Sequence, residues 1–575
     1  MGISMSARSY RVLPLLIAGA LAACKSDGTG PQPGLDVGQS LKVTGAQDVE
    51  LEGGADGAQY FVVLANNGTD PSQKASYTLV GNGIGTSTAA LVPQAGASLS
   101  LSPFAASRPG SPALDMSFEA RLRSRERSLL SSRIPAARAW MASQRSASAN
   151  RTSIGSYSVS RRDGSVPSSV TVGDTVTVNV NGIDACDNGT FRGARVVAIG
   201  THSIVLADTS NPAGGYTDAD YQRYAARFDT LVYPIDVDAF GAPSDIDQNG
   251  KVVLVFTSAV NEETPHDAPA FVGGFTFARD LFPIAGNDRL ESCPTSNEGE
   301  YFYIIAPDPQ GVINGNPRST GFVDSVTTSI IAHEFQHLIN ASRRIYVNNA
   351  NSFEDTWLDE GLAHIAEELL FYHEAGIGPR NNLNLNAIRA TEQRRSAFNV
   401  NMPGNVGRYR SYLQKPSSSS PYANDDSLPT RGAAWNLLRY LADQRSTTGD
   451  KVFFQLVNST LTGIDNAQNV FGTTFTADVR DWNVSHAVDD IAPVPAELTQ
   501  PSWDWHSLLP VLYDQPYPLK TQVMTNGASY TGTVVGGGAA FYKLGVAPSG
   551  SATLTLGGQS ASAGSHLQLV VVRIQ

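Results

Sequence analysis

The sequence predicts an α+β central domain flanked at each end by a small all-β, sandwich-like domain. Three observations predict it. First, the apolar strand runs KVVLVF (251–256) and YFYIIA (301–306) precede two long helical patterns, SVTTSIIAHEFQHLINASRR (325–344) and TWLDEGLAHIAEELLFYHE (356–374). Strands first and helices second is an α+β order. Second, residues 39–105 hold short alternating runs such as YFVVLA (60–65), separated by Gly, Asn and Pro turns. Third, residues 500–575 return to short strands and glycine turns and end in LQLVVVRI. The expected boundaries are a leader (1–23), a spacer and N-terminal β domain (24–110), an Arg/Ser-rich connector (111–165), the central domain (166–495) and a C-terminal β domain (496–575).

The leader comes first. Arg8 and Arg11 precede VLPLLIAGALAA (12–23), a secretory pattern too short for a bilayer-spanning helix. LAAC (21–24) resembles the lipobox of bacterial lipoproteins. That resemblance implies cleavage before Cys24, lipidation of Cys24 and export to the outer membrane or cell surface, with the membrane contacted through the lipid alone. A plain signal peptide cleaved near Ala23 is the alternative. KSDGTGPQPGLDVG (25–38) reads as a flexible spacer.

The chain has 575 residues, of which 41% are hydrophobic, enough for about three or four domains. Its net charge of −12 argues against a nucleic-acid partner, whose phosphates it would repel. A monomer is expected. With Cys24 lipidated, Cys186 and Cys293 remain, and an oxidising compartment favours a disulfide between them. Neither cysteine has a thiolate-zinc spacing. The glycines at 81, 83 and 85 lack the G-x-G-x-x-G spacing and read as a loop.

In the connector, FEARLRSRERSLLSSR (118–133) is basic and helical in pattern, and a solvated helix face is expected, with membrane or acidic-partner binding by its arginines as the alternative. Its arginines also make it a candidate processing site. Strand runs resume at SVTVGDTVTVNVNG (169–182) and ARVVAIGTHSIVLAD (194–208). A helix follows at 217–236, with Thr217 or Asp218 as cap and Tyr221, Tyr224, Phe228 and Leu231 on one side. GAAWNLLRYLADQR (432–445) is a further helix.

The chemistry lies on the two long helical patterns. In IAHEFQH, His333 and His337 are four residues apart, so a helix projects both from one face, where they can share a metal ion. Catalytic zinc takes three protein ligands and keeps one position for water. WLDEGLAHIAEELL offers Asp359, Glu360, His364, Glu367 and Glu368 as the third. Glu360, followed by Gly361, resembles the third zinc ligand of gluzincin peptidases such as aminopeptidase N, which implies that Glu360 completes the site. Glu334 is then the general base for a water attacking a peptide carbonyl. Asp355 and Asp359 are candidate partners for the outer histidine nitrogens. His364 is a candidate substrate contact or a group that supports the ligands from behind, with a surface or packing role as the alternative.

In the aminopeptidase-like relatives an oxyanion donor tyrosine stands just before a Lys-Gly-Ala segment. Here the similar RGAAW (431–435) has Pro429 at that place. Tyr409, Tyr412, Tyr422 and Arg431 are the substitutes. No G-x-S-x-G elbow, phosphate loop or cysteine with a histidine partner suggests another chemistry.

A second metal motif is Asp245-x-Asp247-x-Asn249-Gly250, the first half of a calcium loop. Its twelfth position is Phe256, which excludes an EF-hand. Either it is a partial calcium site completed from elsewhere or it is a polar turn.

FGAPSDIDQNGKVVLVF, FVGGFTFARD, SNEGEYFYI, IAHEFQH and WLDEGLAH, in that order, resemble the hyicolysin family of secreted bacterial neutral metallopeptidases over roughly 195–490. The resemblance implies a zincin-like fold, zinc dependence, and proteolysis of extracellular protein or peptide, with His333, His337 and Glu360 as ligands and Glu334 as base. The expected function is a lipid-anchored zinc endopeptidase. The alternatives are a zinc aminopeptidase, for which no Gly-x-Met-Glu-Asn-type segment is found, and a non-catalytic surface binding lipoprotein on a peptidase scaffold.

Overall fold

The computed structural model describes residues 34–45, 48–85, 118–126, 166, 169–268, 270–285, 292–348, 350, 352–445, 451–472, 474–558 and 566–575. The leader, Cys24 and most of the connector lie outside them. No described helix is long and apolar enough to cross a membrane.

Both chain ends fold into two packed sheets. The N-terminal strands are β1 (Ser40–Thr44), β2 (Asp48–Glu52), β3 (Ala58–Asn66) and β4 (Lys74–Asn82). The sheet orders are β1-β15-β3-β13-β11 and β12-β4-β14-β2, where β11 (Thr521–Val523), β12 (Ser529–Val535), β13 (Ala539–Val546), β14 (Ser551–Gly557) and β15 (Leu567–Arg573) come from the other end. The expectation of a separate β domain at each end is therefore corrected. β1, β2, β3 and β4 take all their ladder neighbours from β12–β15, so neither end forms a sheet alone.

The pairing has a visible cause in β3. All nine of its residues are buried. Tyr60, Val62 and Leu64 pack into the core between the two sheets, while Phe61, Val63 and Ala65 join the core of the rest of the chain. A strand covered on both faces reads as a continuous apolar run. β4 is covered on one face and alternates accordingly.

The central sheet has the order β5-β6-β7-β8-β10-β9. Its strands are β5 (Thr175–Asn179), β6 (Phe191–Ile199), β7 (Ser203–Asp208), β8 (Val252–Thr257), β9 (Gly274–Phe275) and β10 (Tyr301–Ile305). β7, β8 and β10 are parallel and wholly buried, whereas β9 pairs antiparallel with β10 at the sheet edge. Cys186 and Cys293 are joined by a disulfide.

In chain order the first ten described helices are α1 (118–126), α2 (Asp218–Arg227), α3 (Tyr233–Phe240), α4 (Ser258–Glu262), α5 (Thr320–Ser342), α6 (Thr356–Ala375), α7 (Leu385–Arg389), α8 (Glu392–Asn401), α9 (Pro403–Leu413) and α10 (Leu428–Asp443). Of these, α2, α4 and α5 pack directly on the sheet, while α6 packs on α5 and α10 on α6. The single helix expected at 217–236 is α2 and α3 joined through a π turn at Phe228–Val232, because Pro234 brings no N–H to a regular ladder. α5 begins at Thr320, where Ser319 caps it through the Phe322 N–H at 3.1 Å. Gly361 is where α6 meets α10: a Cβ there would come within 2.8 Å of Leu438.

Candidate active site

α5 and α6 pack against each other and bring three donors to one point. His333 Nε2 and His337 Nε2 are 3.2 Å apart. Glu360 reaches in from α6, with Oε2 at 3.5 Å from His333 Nε2 and Oε1 at 3.7 Å from His337 Nε2. All three side chains are buried. Tetrahedral zinc with bonds of about 2.0–2.1 Å holds its ligands roughly 3.3–3.4 Å apart, which this spacing fits. Both Glu360 oxygens are buried, and the Arg431 guanidinium lies 3.0 Å from Oε2, so the carboxylate is held charged beside the two imidazoles. Burial opposes an imidazolium at His333, yet Glu360 and Glu367 outweigh it and push its pKa up to about 10.

The outer nitrogens are held as well. His337 Nδ1 is 2.8 Å from Asp359 Oδ2, whose other oxygen accepts from Asn340 at 2.5 Å. His333 Nδ1 is 2.8 Å from Glu367 Oε1. Asp359 thus takes the anticipated partner role, whereas Asp355 stands at the head of α6 against Gly463. Glu367, one helical turn on from Ala363, had a signal in the sequence: an acid seven residues after Glu360 lies on the same face of α6.

His364 is fully buried behind Glu367, with Nδ1 at 3.0 Å from Glu367 Oε1. This corrects its reading as a substrate contact, because the ring has no exposed surface. Burial, followed by Arg408, lowers its pKa to about 3, so it is neutral in ordinary conditions.

Glu334 follows His333 on α5 and is buried beside the metal donors without being one of them. Thr276, just after β9, donates to the Glu334 carbonyl at 2.7 Å and lies 3.3 Å from Glu334 Oε2. At Gly274 a Cβ would meet Ile330, Glu334 and the Tyr303 carbonyl at 2.7–3.1 Å, so only glycine lets β9 approach α5 this closely.

Of the oxyanion candidates, only Arg431 reaches the site. Its Nη1 is 3.0 Å from Glu360 Oε2, and its Nε donates to Asp426 Oδ1 at 2.6 Å. Tyr422 is corrected: its hydroxyl donates to the Gly68 carbonyl at 2.6 Å, tying α10's approach to the β sandwich. Tyr409 and Tyr412 are buried and bond His486 and Asn483. Pro429 sits in the first turn of α10, where no N–H is needed.

The connector helix α1 is also corrected. Arg123 and Glu126 are buried rather than solvated. Arg123 Nη1 is 2.8 Å from Glu126 Oε2, and its Nε is 3.9 Å from both Asp359 Oδ2 and Glu360 Oε1. The run of arginines concealed the phase of this helix. Phe118 and Leu122, four apart, are its apolar stripe, and Arg123 lies next to it.

The second acidic motif converges differently from the expectation. Asp245 and Asp247 meet Glu300, which stands just before β10, with all three ligand oxygens within 4.8 Å of one another. Asn249 is not the third donor: its Oδ1 accepts the Lys251 N–H at 2.6 Å, and its Nδ2 donates to Asp247 Oδ2 at 2.7 Å. Glu300 Oε2 is buried without a partner, while Oε1 accepts from the Ile246 N–H at 2.9 Å.

Two histidines and a glutamate around a cation-sized gap, with a free glutamate alongside, define a candidate metal-dependent hydrolase site. In agreement, a 154-residue stretch, 27% of this chain, is 30% identical to the neutral metalloprotease ShpI of Staphylococcus hyicus. The match covers 31% of that protein's length, so the chain spans about a third of the curated relative it resembles. This similarity supports a metallopeptidase family for the chain. No family model matches the chain.

Proposed function

We propose that the protein is a zinc-dependent endopeptidase, with His333, His337 and Glu360 as the zinc ligands and Glu334 as the general base. The observation that carries this reading is the buried triad, in which Glu360 meets the Nε2 atoms of both histidines while both histidines are oriented from behind by carboxylates. Zinc, when bound there, supplies Lewis acidity and lowers the pKa of a bound water. Glu334 accepts a proton beside that centre and later passes it to the leaving nitrogen. Thr276 limits the swing of the Glu334 carboxylate. Arg431 is the donor that replaces the missing tyrosine, because its guanidinium reaches the ligand carboxylate from the α10 side and has further N–H groups for a developing oxyanion.

On this reading Asp245, Asp247 and Glu300 hold a calcium ion, a structural cation suited to an all-oxygen site. The LAAC stretch makes the protein an exported lipoprotein anchored through Cys24, acting on extracellular protein or peptide.

The decisive experiment compares the native chain with Glu334→Gln. The variant is expected to keep stoichiometric zinc and to lose casein cleavage by at least about a hundredfold. A variant that remains fully active sinks the mechanism. Cleavage of an N-acetylated peptide distinguishes an endopeptidase from an aminopeptidase, which needs the free amine.

A further inference from the structure

We propose that α1 is an intramolecular plug, lying in the groove where a peptide substrate would run past the metal site and holding the chain latent. The proposal rests on the peptidase reading above.

β9 is the open edge of the central sheet, and it lies against the Glu334 turn of α5. An open edge offers main-chain N–H and C=O groups, and an extended peptide binds an edge by pairing with them. Just past β9 those groups are already taken by side chains of α1. Glu126 Oε1 accepts the Ala278 N–H at 2.7 Å, and Arg123 Nη1 donates to the Thr276 carbonyl at 3.3 Å. The Phe118 ring packs 5.3 Å from Phe275 and close over Gly182, closing the groove from the other wall. A small cavity lies between Arg123, Glu126, Thr276, His337 and Asp359.

The electrostatics suit a removable element. Arg123 faces four carboxylates, those of Glu119, Glu126, Asp359 and Glu360, and so supplies positive charge to a site rich in acids. A divalent cation at His333, His337 and Glu360 provides that charge itself and weakens the hold on Arg123. The fit is also imperfect. Three of Arg123's four carboxylate contacts are long, 3.6 Å to Glu119 and 3.9 Å to Asp359 and Glu360, so they are ion pairs without the geometry of direct hydrogen bonds. A substrate must therefore displace α1, and its apparent affinity falls by the fraction of molecules in which the groove is open.

The test uses the zinc-loaded full chain, an internally quenched peptide and a peptide hydroxamate as groove ligand. The Arg123→Ala/Glu126→Ala double variant is expected to raise kcat/KM by about tenfold or more. In the wild type, hydroxamate binding is expected to speed hydrogen exchange across 118–126, a readout independent of turnover. If α1 is instead a permanent part of the fold, the double variant loses activity and melting temperature together, and exchange at 118–126 stays unchanged or slows. Either result overturns the plug. Should the double variant fail to fold, Glu126→Gln takes its place and the wild-type exchange measurement decides. A chain that binds no zinc and shows no cleavage in any variant defeats the peptidase reading and the plug with it. Zinc-loaded wild type as fast as the variants defeats the plug alone.

Discussion

His333 Nδ1 lies 2.8 Å from Glu367 Oε1, and the same oxygen stands 3.0 Å from His364 Nδ1. Although burial opposes its charge, the two histidines hold the Glu367 carboxyl well below the usual carboxylate range, so it can only accept. Both imidazoles must then donate from Nδ1, which leaves His333 Nε2, facing His337 and Glu360, as the nitrogen that would give up its proton to a metal. The tautomer that a metal needs is fixed from behind.

Removing that support is therefore expected to loosen the metal without removing a ligand. Glu367→Ala should weaken zinc affinity by about 10–100-fold, read by competition with a chromophoric chelator. An unchanged dissociation constant would show that His333 is oriented by packing alone.

Arg431 is expected to act in turnover more than in metal retention. Arg431→Lys keeps a cation near Glu360 and Asp426 but loses the planar fork. It should retain zinc and lower kcat by roughly 10²–10³, with KM little changed. A variant with native kcat assigns the oxyanion to another donor.

The local features were legible where a residue's own neighbours dictated its environment. IAHEFQH showed two candidate ligands because helical periodicity alone places His333 and His337 together. Glu360 needed a resemblance, since five acids and histidines crowd residues 359–368 and the choice depends on how α6 crosses α5. Glu300 and Arg123 were missed for the same reason: each reaches its site across tertiary packing rather than along the chain. The two chain ends show the limit most plainly. GGGAAFYKLGV and GGADGAQYFVVL echo each other in composition, yet nothing local announces that β13 and β3 are neighbours in one ladder.

Glu368 gives the stability a pH dependence. Burial, only partly offset by Arg439, raises its pKa from 4.5 to about 7, while its Oε1 accepts from Trp503 at 2.7 Å and Tyr372 at 3.1 Å. A raised carboxyl stabilises fully below its unfolded pKa, and that contribution is lost as pH rises through the folded value. The loss between about pH 4.5 and 7 amounts to about 3 kcal/mol. Glu368→Gln keeps both acceptor bonds and cannot ionise. Urea unfolding at pH 5 and pH 8 should show a difference between the two pH values that is smaller in the variant by about that amount. Parallel profiles would contradict a neutral Glu368.

Calcium is expected to stabilise the protein through Glu300 and not through Asn249. At a hundredfold excess over its dissociation constant, a bound ion contributes about 2.7 kcal/mol. Wild type should therefore melt higher in calcium than in EGTA, and Asn249→Ala should respond similarly, because Asn249 Oδ1 is already committed to Lys251. Glu300→Gln should lose the response. A calcium shift that survives Glu300→Gln would place the ion elsewhere.

Truncation tests the joined ends. Ending the chain at residue 520 removes β11–β15, and with them every ladder partner of β1–β4. It also strips the edge bonds from β3, whose Phe61, Val63 and Ala65 cover the main core. An unpaired set of strands cannot satisfy its main-chain groups, and no two of these four pair with each other. Residues 34–85 should then be cut rapidly by trypsin at Lys42 and Lys74 in the truncated protein and resist it in the full chain. Adding the 521–575 segment in trans should restore resistance, since the missing contacts are noncovalent. If residues 34–85 stay protected in the truncated protein, the N-terminal strands fold without the C-terminal ones, and the shared sandwich is wrong.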